Sequence, residues 1–247
     1  MKRIVSFLSI LGLLASACAT TGQPCKCPKP RQPVPVVIEE NDLDLEKIFE
    51  SVVQIKVKVD ERMSEGKLEE SYEYGTGFFI NDRGLILTSA HVMALVDDAR
   101  NVTVFHGGRA LQARPLKTYR DVDLATLMVD AGRTIALQPA PAKARLGQKV
   151  YAIGFPYVDV FTDRAPAVSV GHVAGTDRSI VYEKRAVERL LLTDAFVANG
   201  CSGGPLIDEQ GRVLGILRFN LSKDGSWLGL SFAEPISSYP EKTGAKR

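Results

Sequence analysis

The chain has 247 residues, of which 45% are hydrophobic, and it carries 31 Lys and Arg against 29 Asp and Glu. This composition is typical of a globular protein with a sizeable core and excludes disordered, collagen-like and multi-span membrane proteins. The near-zero net charge gives no reason to expect a nucleic acid as partner. Only three histidines, His91, His106 and His172, are available as an imidazole base or as metal ligands. We expect neither a metal nor a cofactor.

The N-terminal segment has the pattern of a secretory signal. Lys2 and Arg3 form a short basic start, and residues 4–17 are apolar or small, too few to span a bilayer. Residues 1–17 are therefore predicted to be a signal peptide. Residues 15–18, Ala-Ser-Ala-Cys, fit either an ordinary Ala-x-Ala cleavage site or a bacterial lipobox, in which Cys18 would carry the lipid.

The surroundings of Cys18 favour the lipobox. The cysteine follows small residues, as in the lipoprotein signals that this segment resembles, although Ala15 stands where such signals usually have Leu. Residues 18–40 then form a polar tether with five prolines, which favour an extended chain. We expect a lipid anchor on Cys18 that attaches the protein to a membrane of the bacterial cell envelope, facing the periplasm.

After a short amphipathic helix predicted over residues 42–50, the pattern changes to short β-strands separated by turns. Residues 51–59 alternate apolar with polar residues, as a half-buried strand does. Similar runs follow at residues 77–80, 85–88, 102–105, 124–129, 149–153, 168–173, 190–193 and 206–217. One longer stretch, residues 182–192, fits a helix or a surface loop. Many short strands with few helices predict an all-β barrel or sandwich.

The segment from Gly200 to Pro205, Gly-Cys-Ser-Gly-Gly-Pro, carries the clearest chemistry. Small residues around a serine allow a sharp turn that exposes the hydroxyl and nearby amides, which can face a developing oxyanion. Ser202 needs a positioned base, because a serine hydroxyl is a weak nucleophile at neutral pH. The segment also fits the Gly-x-Ser-x-Gly elbow of α/β-hydrolases, but it leads into a strand and no histidine follows it. The order available is histidine, aspartate, serine, as in chymotrypsin.

Several motifs occur in one order along the chain. They are Gly75-Thr-Gly-Phe-Phe-Ile80, Ser89-Ala90-His91, Asp123-Leu-Ala, the run from Gly147 to Pro156, and Thr193-Asp194-Ala195 followed by the Ser202 segment. In this order they resemble the protease domain of the HtrA/Deg family of trypsin-like serine proteases, from about Ser51 to Pro235. The resemblance implies two antiparallel β-barrels, about residues 41–135 and 145–238, with the active site in the cleft between them. It makes residues 41–247 a protease domain.

The resemblance also assigns roles. It makes Ser202 the nucleophile, His91 the general base that later protonates the leaving amine, and Asp123 the group that orients the imidazole. Asp121 competes with Asp123, and we prefer Asp123 because Leu-Ala-Thr-Leu follows it as in the family. His106 and the third histidine, His172, are interpreted as structural or surface residues.

The oxyanion hole implied by the family consists of the N–H groups of Gly200 and Ser202, with that of Cys201 nearby. Cys201 stands where the family usually has Asn, and the register gives the nucleophile's place before Gly-Gly to Ser202. By the same analogy, the specificity pocket is lined by Phe196, Ile216, Leu217 and Arg218. It has no acidic residue, so we expect a small or medium apolar side chain at P1, the substrate position before the cleaved bond.

The sequence therefore predicts a serine endopeptidase of the cell envelope that hydrolyses peptide bonds in unfolded or exposed protein segments. Polypeptide substrates are the expected partners, the membrane is contacted through Cys18, and a homo-oligomer is expected by family analogy alone. Only twelve residues follow Pro235, too few for the PDZ domain that many HtrA proteins have. The alternative is a catalytically silent, protease-like module that binds unfolded polypeptide.

Overall fold

In a computed structural model of the protein, nearly all regular structure is β-strand. The structure describes residues 43–240 apart from residues 65–66, 94–100, 162, 183–184 and 224–225. The predicted signal peptide and tether lie outside the described residues. Within the described part of the chain, no helix has the length and apolar character needed to cross a membrane.

A single turn of helix, α1 (Leu45–Phe49), precedes the strands. The side chain of Asp44 caps it by accepting a hydrogen bond of 3.1 Å from the N–H of Lys47. Ile48 and Phe49 are partly buried against the core. The helix predicted over residues 42–50 is thus confirmed at its centre, within shorter bounds.

Seven antiparallel strands form the first sheet, in the spatial order β5-β4-β1-β2-β3-β7-β6. They are β1 (Val52–Ser64), β2 (Lys67–Phe79), β3 (Leu85–Ser89), β4 (Val102–His106), β5 (Arg109–Gln112), β6 (Arg114–Tyr119) and β7 (Leu124–Met128). Side chains of a strand alternate between two faces. Val53, Ile55 and Val57 of β1 therefore fill the core of this sheet, whereas Val52 faces the other way.

Six antiparallel strands close into a second barrel in the order β10-β13-β12-β11-β8-β9. They are β8 (Lys149–Gly154), β9 (Ala167–Tyr182), β10 (Arg185–Thr193), β11 (Pro205–Ile207), β12 (Val213–Lys223) and β13 (Ser226–Pro235). With the curled first sheet, they confirm the predicted all-β fold with two antiparallel β-barrels.

The interpretation of residues 182–192 as a helix or surface loop is wrong. This stretch contains the end of β9 and nearly all of β10, which pair antiparallel from Tyr182 opposite Arg185 onward. The register shifts between Val187 and Leu190 and again beyond Leu190. These bulges interrupt the period-two alternation, so the apolar residues acquire a spacing that imitates a helix.

A shared hydrophobic cluster joins the two sheets. Phe78 and Leu87 from the first sheet meet Ile153 and Ile216 from the second, and all four side chains are fully buried. Burial of each such side chain contributes about 1.5–3 kcal/mol relative to exposure. This cluster fixes the relative position of the strand ends on which the candidate site is built.

Candidate active site

Two predicted site residues of the first sheet form a tightly bonded pair. His91 follows β3 and Asp123 precedes β7, and these strands are paired with Ser89 opposite Leu124, so the two side chains meet. The distance between His91 Nδ1 and Asp123 Oδ2 is 2.8 Å. The backbone N–H of His91 donates to Asp123 Oδ1, also at 2.8 Å. Asp123 lies in the left-handed region with φ 52°, which aspartate tolerates better than most residues.

The carboxyl group of Asp123 is buried, with the residue only 7% exposed. Burial alone would raise its pKa, but the hydrogen bond from His91 and the charges of His91 and Arg218 outweigh that effect and lower the pKa below its ordinary value. Asp123 is therefore an ionised carboxylate at neutral pH. It fixes the ring of His91 and stabilises positive charge on it.

Ser202 lies in the turn between β10 and β11. At two positions of this turn, the backbone adopts a conformation that favours glycine. Gly200 has φ 94° and Gly203 has φ 88°. A Cβ atom at Gly200 would overlap the carbonyl oxygen of Phe155, and one at Gly203 would overlap the carbonyl oxygen of Thr76. The predicted sharp turn around the serine is thus present, and it packs directly against both sheets.

The backbone N–H groups of this turn differ in their hydrogen bonding. The carbonyl of Asn199 accepts from Tyr157 N–H, and that of Cys201 accepts from Gly204 N–H, both at 2.9 Å. In a trans peptide the N–H points opposite to the C=O, so these bonds orient the N–H groups of Gly200 and Ser202. Neither of these two N–H groups has an acceptor among the described residues. The N–H of Cys201, by contrast, donates to Ala198 at 3.0 Å.

Thr76 of β2 connects the turn to the first sheet. Its hydroxyl donates to the carbonyl of Gly200 at 2.6 Å and accepts from the N–H of Phe155 at 3.0 Å. Its backbone N–H donates to the carbonyl of Ser202 at 2.8 Å. Thr76 is fully buried, so these bonds are shielded from competing water.

The hydroxyl of Ser202 donates to the backbone carbonyl of Arg218 at 2.7 Å. Within the described residues, no hydrogen bond joins this hydroxyl to His91. The side chain of Arg218 turns toward Asp123, with 3.0 Å between Nε and Oδ2, and toward Glu234, with 3.3 Å between NH1 and Oε2. The hydroxyl of Ser202 is thus bonded to the backbone of Arg218, the residue whose side chain contacts Asp123.

A cavity of about 870 Å³ opens over this arrangement. His91, Asp123, Arg218 and Glu234 contribute to its wall. Further lining residues come from the turn before Asp123 and from β10 and β12: Arg120, Asp121, Val122, Ala186, Val187, Glu188, Arg189 and Phe219. Asp121, the competitor for the acid, is exposed at this rim and is not bonded to His91.

The four residues predicted for the specificity pocket lie in different surroundings. The side chains of Ile216 and Leu217 are fully buried in the core. Phe196 is 38% exposed and packs edge-on against Trp227, with 5.0 Å between ring centroids. Arg218 contributes its carbonyl near Ser202 and sends its side chain to Asp123.

The remaining predicted residues lie in less reactive places. Cys201 is buried against Gly154, and burial raises the pKa of its thiol to about 11, so it remains protonated at neutral pH. His106 binds the carbonyl of Glu50 at 2.9 Å. His172 is exposed, and its ring nitrogen is 3.8 Å from Asp194.

Sequence reasoning missed Thr76 and Glu234. Thr76 belongs to the Gly-Thr-Gly run, but a local motif does not show that its hydroxyl bonds the distant residues Phe155 and Gly200. Glu234 belongs to no recognisable motif. Its role depends on an ion pair with Arg218 of the neighbouring strand. A lone glutamate in an otherwise apolar strand end is the one signal that could have found it.

A family model described as "Trypsin-like peptidase domain" matches residues 75–216. A "Probable periplasmic serine endoprotease DegP-like" of Halomonas elongata is 32% identical over 174 residues, which are 70% of this chain and 35% of that protein. A protein of the same name from Pseudomonas fulva is 34% identical over 175 residues, or 70% of this chain and 34% of that one. "Protease Do-like 1, chloroplastic" of Arabidopsis thaliana is 31% identical over 177 residues, which are 69% of this chain and 38% of that protein. The chain thus spans about a third of the length of these relatives.

Proposed function

Because the chain belongs to the trypsin-like peptidase domain family, we propose that it is a serine endopeptidase whose catalytic residues are Ser202, His91 and Asp123. The predicted resemblance to HtrA/Deg proteases is confirmed by the relatives. The observation that carries the residue roles is the 2.8 Å bond between the buried carboxylate of Asp123 and Nδ1 of His91. This bond supports a ring proton on Nδ1 and the role of Nε2 as the base.

In the proposed reaction, the hydroxyl of Ser202 leaves the carbonyl of Arg218 and turns to His91. Its oxygen attacks the peptide carbonyl carbon while Nε2 of His91 takes its proton. The negative charge that forms on the substrate oxygen is bound by the N–H groups of Gly200 and Ser202. His91 then protonates the leaving amine, and water hydrolyses the acyl-serine by the same steps with roles reversed.

We place the substrates among unfolded or exposed polypeptide segments and the protein in the cell envelope. The names of the bacterial relatives, periplasmic endoproteases, support this location. The lipid anchor on Cys18 and the P1 preference for a small or medium apolar residue belong to the same proposal. Cys18 lies outside the described residues.

The test of the nucleophile compares two adjacent variants. Wild type should be labelled by a fluorophosphonate probe and should degrade an unfolded protein such as reduced casein. Ser202→Ala should lose both, by about 10⁴-fold or more in kcat, whereas Cys201→Ala should keep most of both because the thiol is buried and protonated. Activity that survives Ser202→Ala and disappears in Cys201→Ala would overturn the assignment.

A catalytically silent module that binds unfolded polypeptide is the second candidate. The observation that favours it is the hydroxyl of Ser202, which is bonded to Arg218 and not to His91. The labelling experiment separates the two functions. Absence of labelling and of casein degradation under all conditions, with retained binding of reduced casein, would support the silent module.

A further inference from the structure

A buried row of alternating charges extends behind the proposed catalytic pair. Asp123 is followed by Arg218 of β12 and then by Glu234 of β13, neighbouring strands in which Leu217 lies opposite Ala233. The side chains of these three charged residues are 10%, 13% and 4% exposed. Buried charges are costly unless they are paired, so a row of three calls for a function or a compensation.

The contact between Arg218 and Asp123 is not an optimised hydrogen bond. Nε lies 3.0 Å from Oδ2, yet its N–H is not directed at that oxygen and finds no hydrogen-bond acceptor. Oδ2 already accepts from Nδ1 of His91, and Oδ1 accepts from the His91 backbone. Arg218 therefore acts on the carboxylate through its charge and its bulk. Glu234 holds the other end of the guanidinium through NH1.

We propose that Arg218, anchored by Glu234, is a positioning residue that holds the Asp123 carboxylate in line with the ring of His91. This inference rests on the proposed function. With a neutral imidazole, the row from His91 to Glu234 has a net charge of minus one. When His91 takes the serine proton, the row becomes neutral, so the transition state is the charge-balanced arrangement.

Other charged groups face this row, but they are poorly placed to replace it. Arg120 and Asp121 lie on the turn before Asp123, and Glu188 and Arg189 lie on β10. All four are exposed, and each of the two elements contributes one charge of each sign. Their effects largely cancel and are screened by solvent and salt. The buried pair of Arg218 and Glu234 therefore dominates the electrostatic potential at Asp123.

Two opposite charge removals test the proposal through the pH profile of kcat/KM. Arg218→Met leaves the full charge of Asp123 facing the imidazole, which favours the protonated ring, so the acidic limb should move to higher pH. Glu234→Gln leaves the cation uncompensated, so the acidic limb should move to lower pH. Arg218→Met should also lower kcat by about 10- to 100-fold with little change in KM, the effect of a small misplacement of the catalytic pair. Arg218→Lys, which keeps the charge, should keep the position of the limb.

The matched control is Arg212→Met. Arg212 also pairs with a buried aspartate, Asp208, at 2.9 Å, but in the turn between β11 and β12 and outside the cavity. This variant should lose stability without moving the acidic limb. Shifts of the two test variants in the same direction, or shifts no larger than that of the control, would overturn the proposal.

A second readout does not depend on hydrolysis. In Ser202→Ala protein, proton NMR should show a strongly deshielded resonance from the His91 Nδ1–H that is bonded to Asp123. Adding Arg218→Met should remove or clearly shift it, whereas adding Arg212→Met should not. If wild type neither hydrolyses casein nor reacts with the probe, the proposed function fails, and this resonance still decides the positioning role. An unchanged resonance in the Arg218 variant would overturn that role.

Discussion

At the scale of single residues, the turn that contains Ser202 depends on one hydroxyl outside it. Thr76 belongs to the first sheet, but its side chain satisfies the carbonyl of Gly200 and the amide of Phe155, which belong to the second half of the chain. Both partners would lose their bond if the hydroxyl were removed; Phe155 is buried and Gly200 is half-buried. The residue therefore couples the position of the turn to the strand that follows β1.

We expect Thr76→Val to destabilise the protein by about 1–3 kcal/mol for the unsatisfied groups and to lower kcat more than it raises KM. The amides of Gly200 and Ser202 lose their fixed orientation, and in the proposed mechanism they act only in the transition state. Urea unfolding and steady-state hydrolysis of a peptide ester measure the two effects. Thr76→Ser, which keeps the hydroxyl, should retain most of the stability and most of kcat.

The comparison for Thr76→Val is Thr126→Val. Thr126 is also buried, on β7, and its hydroxyl donates to the backbone carbonyl of Lys117 at 3.4 Å. Loss of this hydroxyl should lower the free energy of unfolding without changing kcat. Equal losses of kcat in the two variants would show that Thr76 acts through general stability and not through the turn.

Residue roles also show how far sequence reasoning reaches. The motifs around His91, Asp123 and Ser202 identify the residues that the structure brings to one cavity wall and one adjoining turn. Motifs specify backbone positions, but they do not specify which way a side chain turns. Arg218 was predicted to line the specificity pocket, and its side chain extends to Asp123 because two buried carboxylates attract it there.

At the scale of elements, the segment after β8 supports the turn that contains Ser202. Its Tyr157 has φ 46°, in the left-handed region, and its N–H holds the carbonyl of Asn199. This bond orients the N–H of Gly200 outward from the turn. The conformation of one exposed loop residue is thus linked to one of the two amides that we assign to the oxyanion hole.

The prediction for this segment compares two substitutions at one position. Tyr157→Pro removes the N–H donor and cannot adopt a positive φ, so kcat should fall by about 10²- to 10³-fold, as on loss of an oxyanion donor. Tyr157→Gly keeps the donor and suits the backbone, so it should retain activity. Fluorophosphonate labelling rates and kcat values check both. Equal activity of the proline variant would exclude a role of this bond.

The strands themselves were largely predictable, because half-buried strands alternate with period two. Residues 51–59 follow this rule and lie in β1 from Val52 onward, whereas residues 85–88 form a short, mostly apolar run that is buried at successive positions in β3. The alternation is lost in β10, where bulges around Leu190 put Leu190 and Leu191 both into the buried interior. Such bulges depend on the closure of the barrel and on the neighbouring strand, neither of which is encoded in a local window of sequence.

At the scale of the whole molecule, two buried carboxyl groups give stability opposite pH dependences. The pKa of Asp123 is lowered in the folded protein, so its contribution is present above its ordinary value of 3.8 and is lost as the pH falls. Burial raises the pKa of Glu234, so the folded state releases its proton at a higher pH than the unfolded chain does. Stability from Glu234 is therefore present below its ordinary value of 4.5 and declines as the pH rises through the folded value.

Glu234→Gln removes the second of these trends. Because glutamine resembles the protonated acid, the melting temperature of the variant relative to wild type should become more favourable as the pH rises from about 4 to 7. Calorimetry at a series of pH values measures the difference. A constant difference would contradict a raised pKa, and Asp208→Asn, in a pair outside the cavity, provides the comparison.

The division of the site between two sheets has a consequence for the newly made chain. His91 and Asp123 come from the first half of the chain, whereas Ser202 comes from the turn before β11, Arg218 from β12 and Glu234 from β13. Under the proposed function, a chain that is made or exported with its N-terminus first has no complete site until β13 pairs with β10 in the second barrel. The order of synthesis would then keep the proposed enzyme from cleaving itself or neighbouring chains before it has folded.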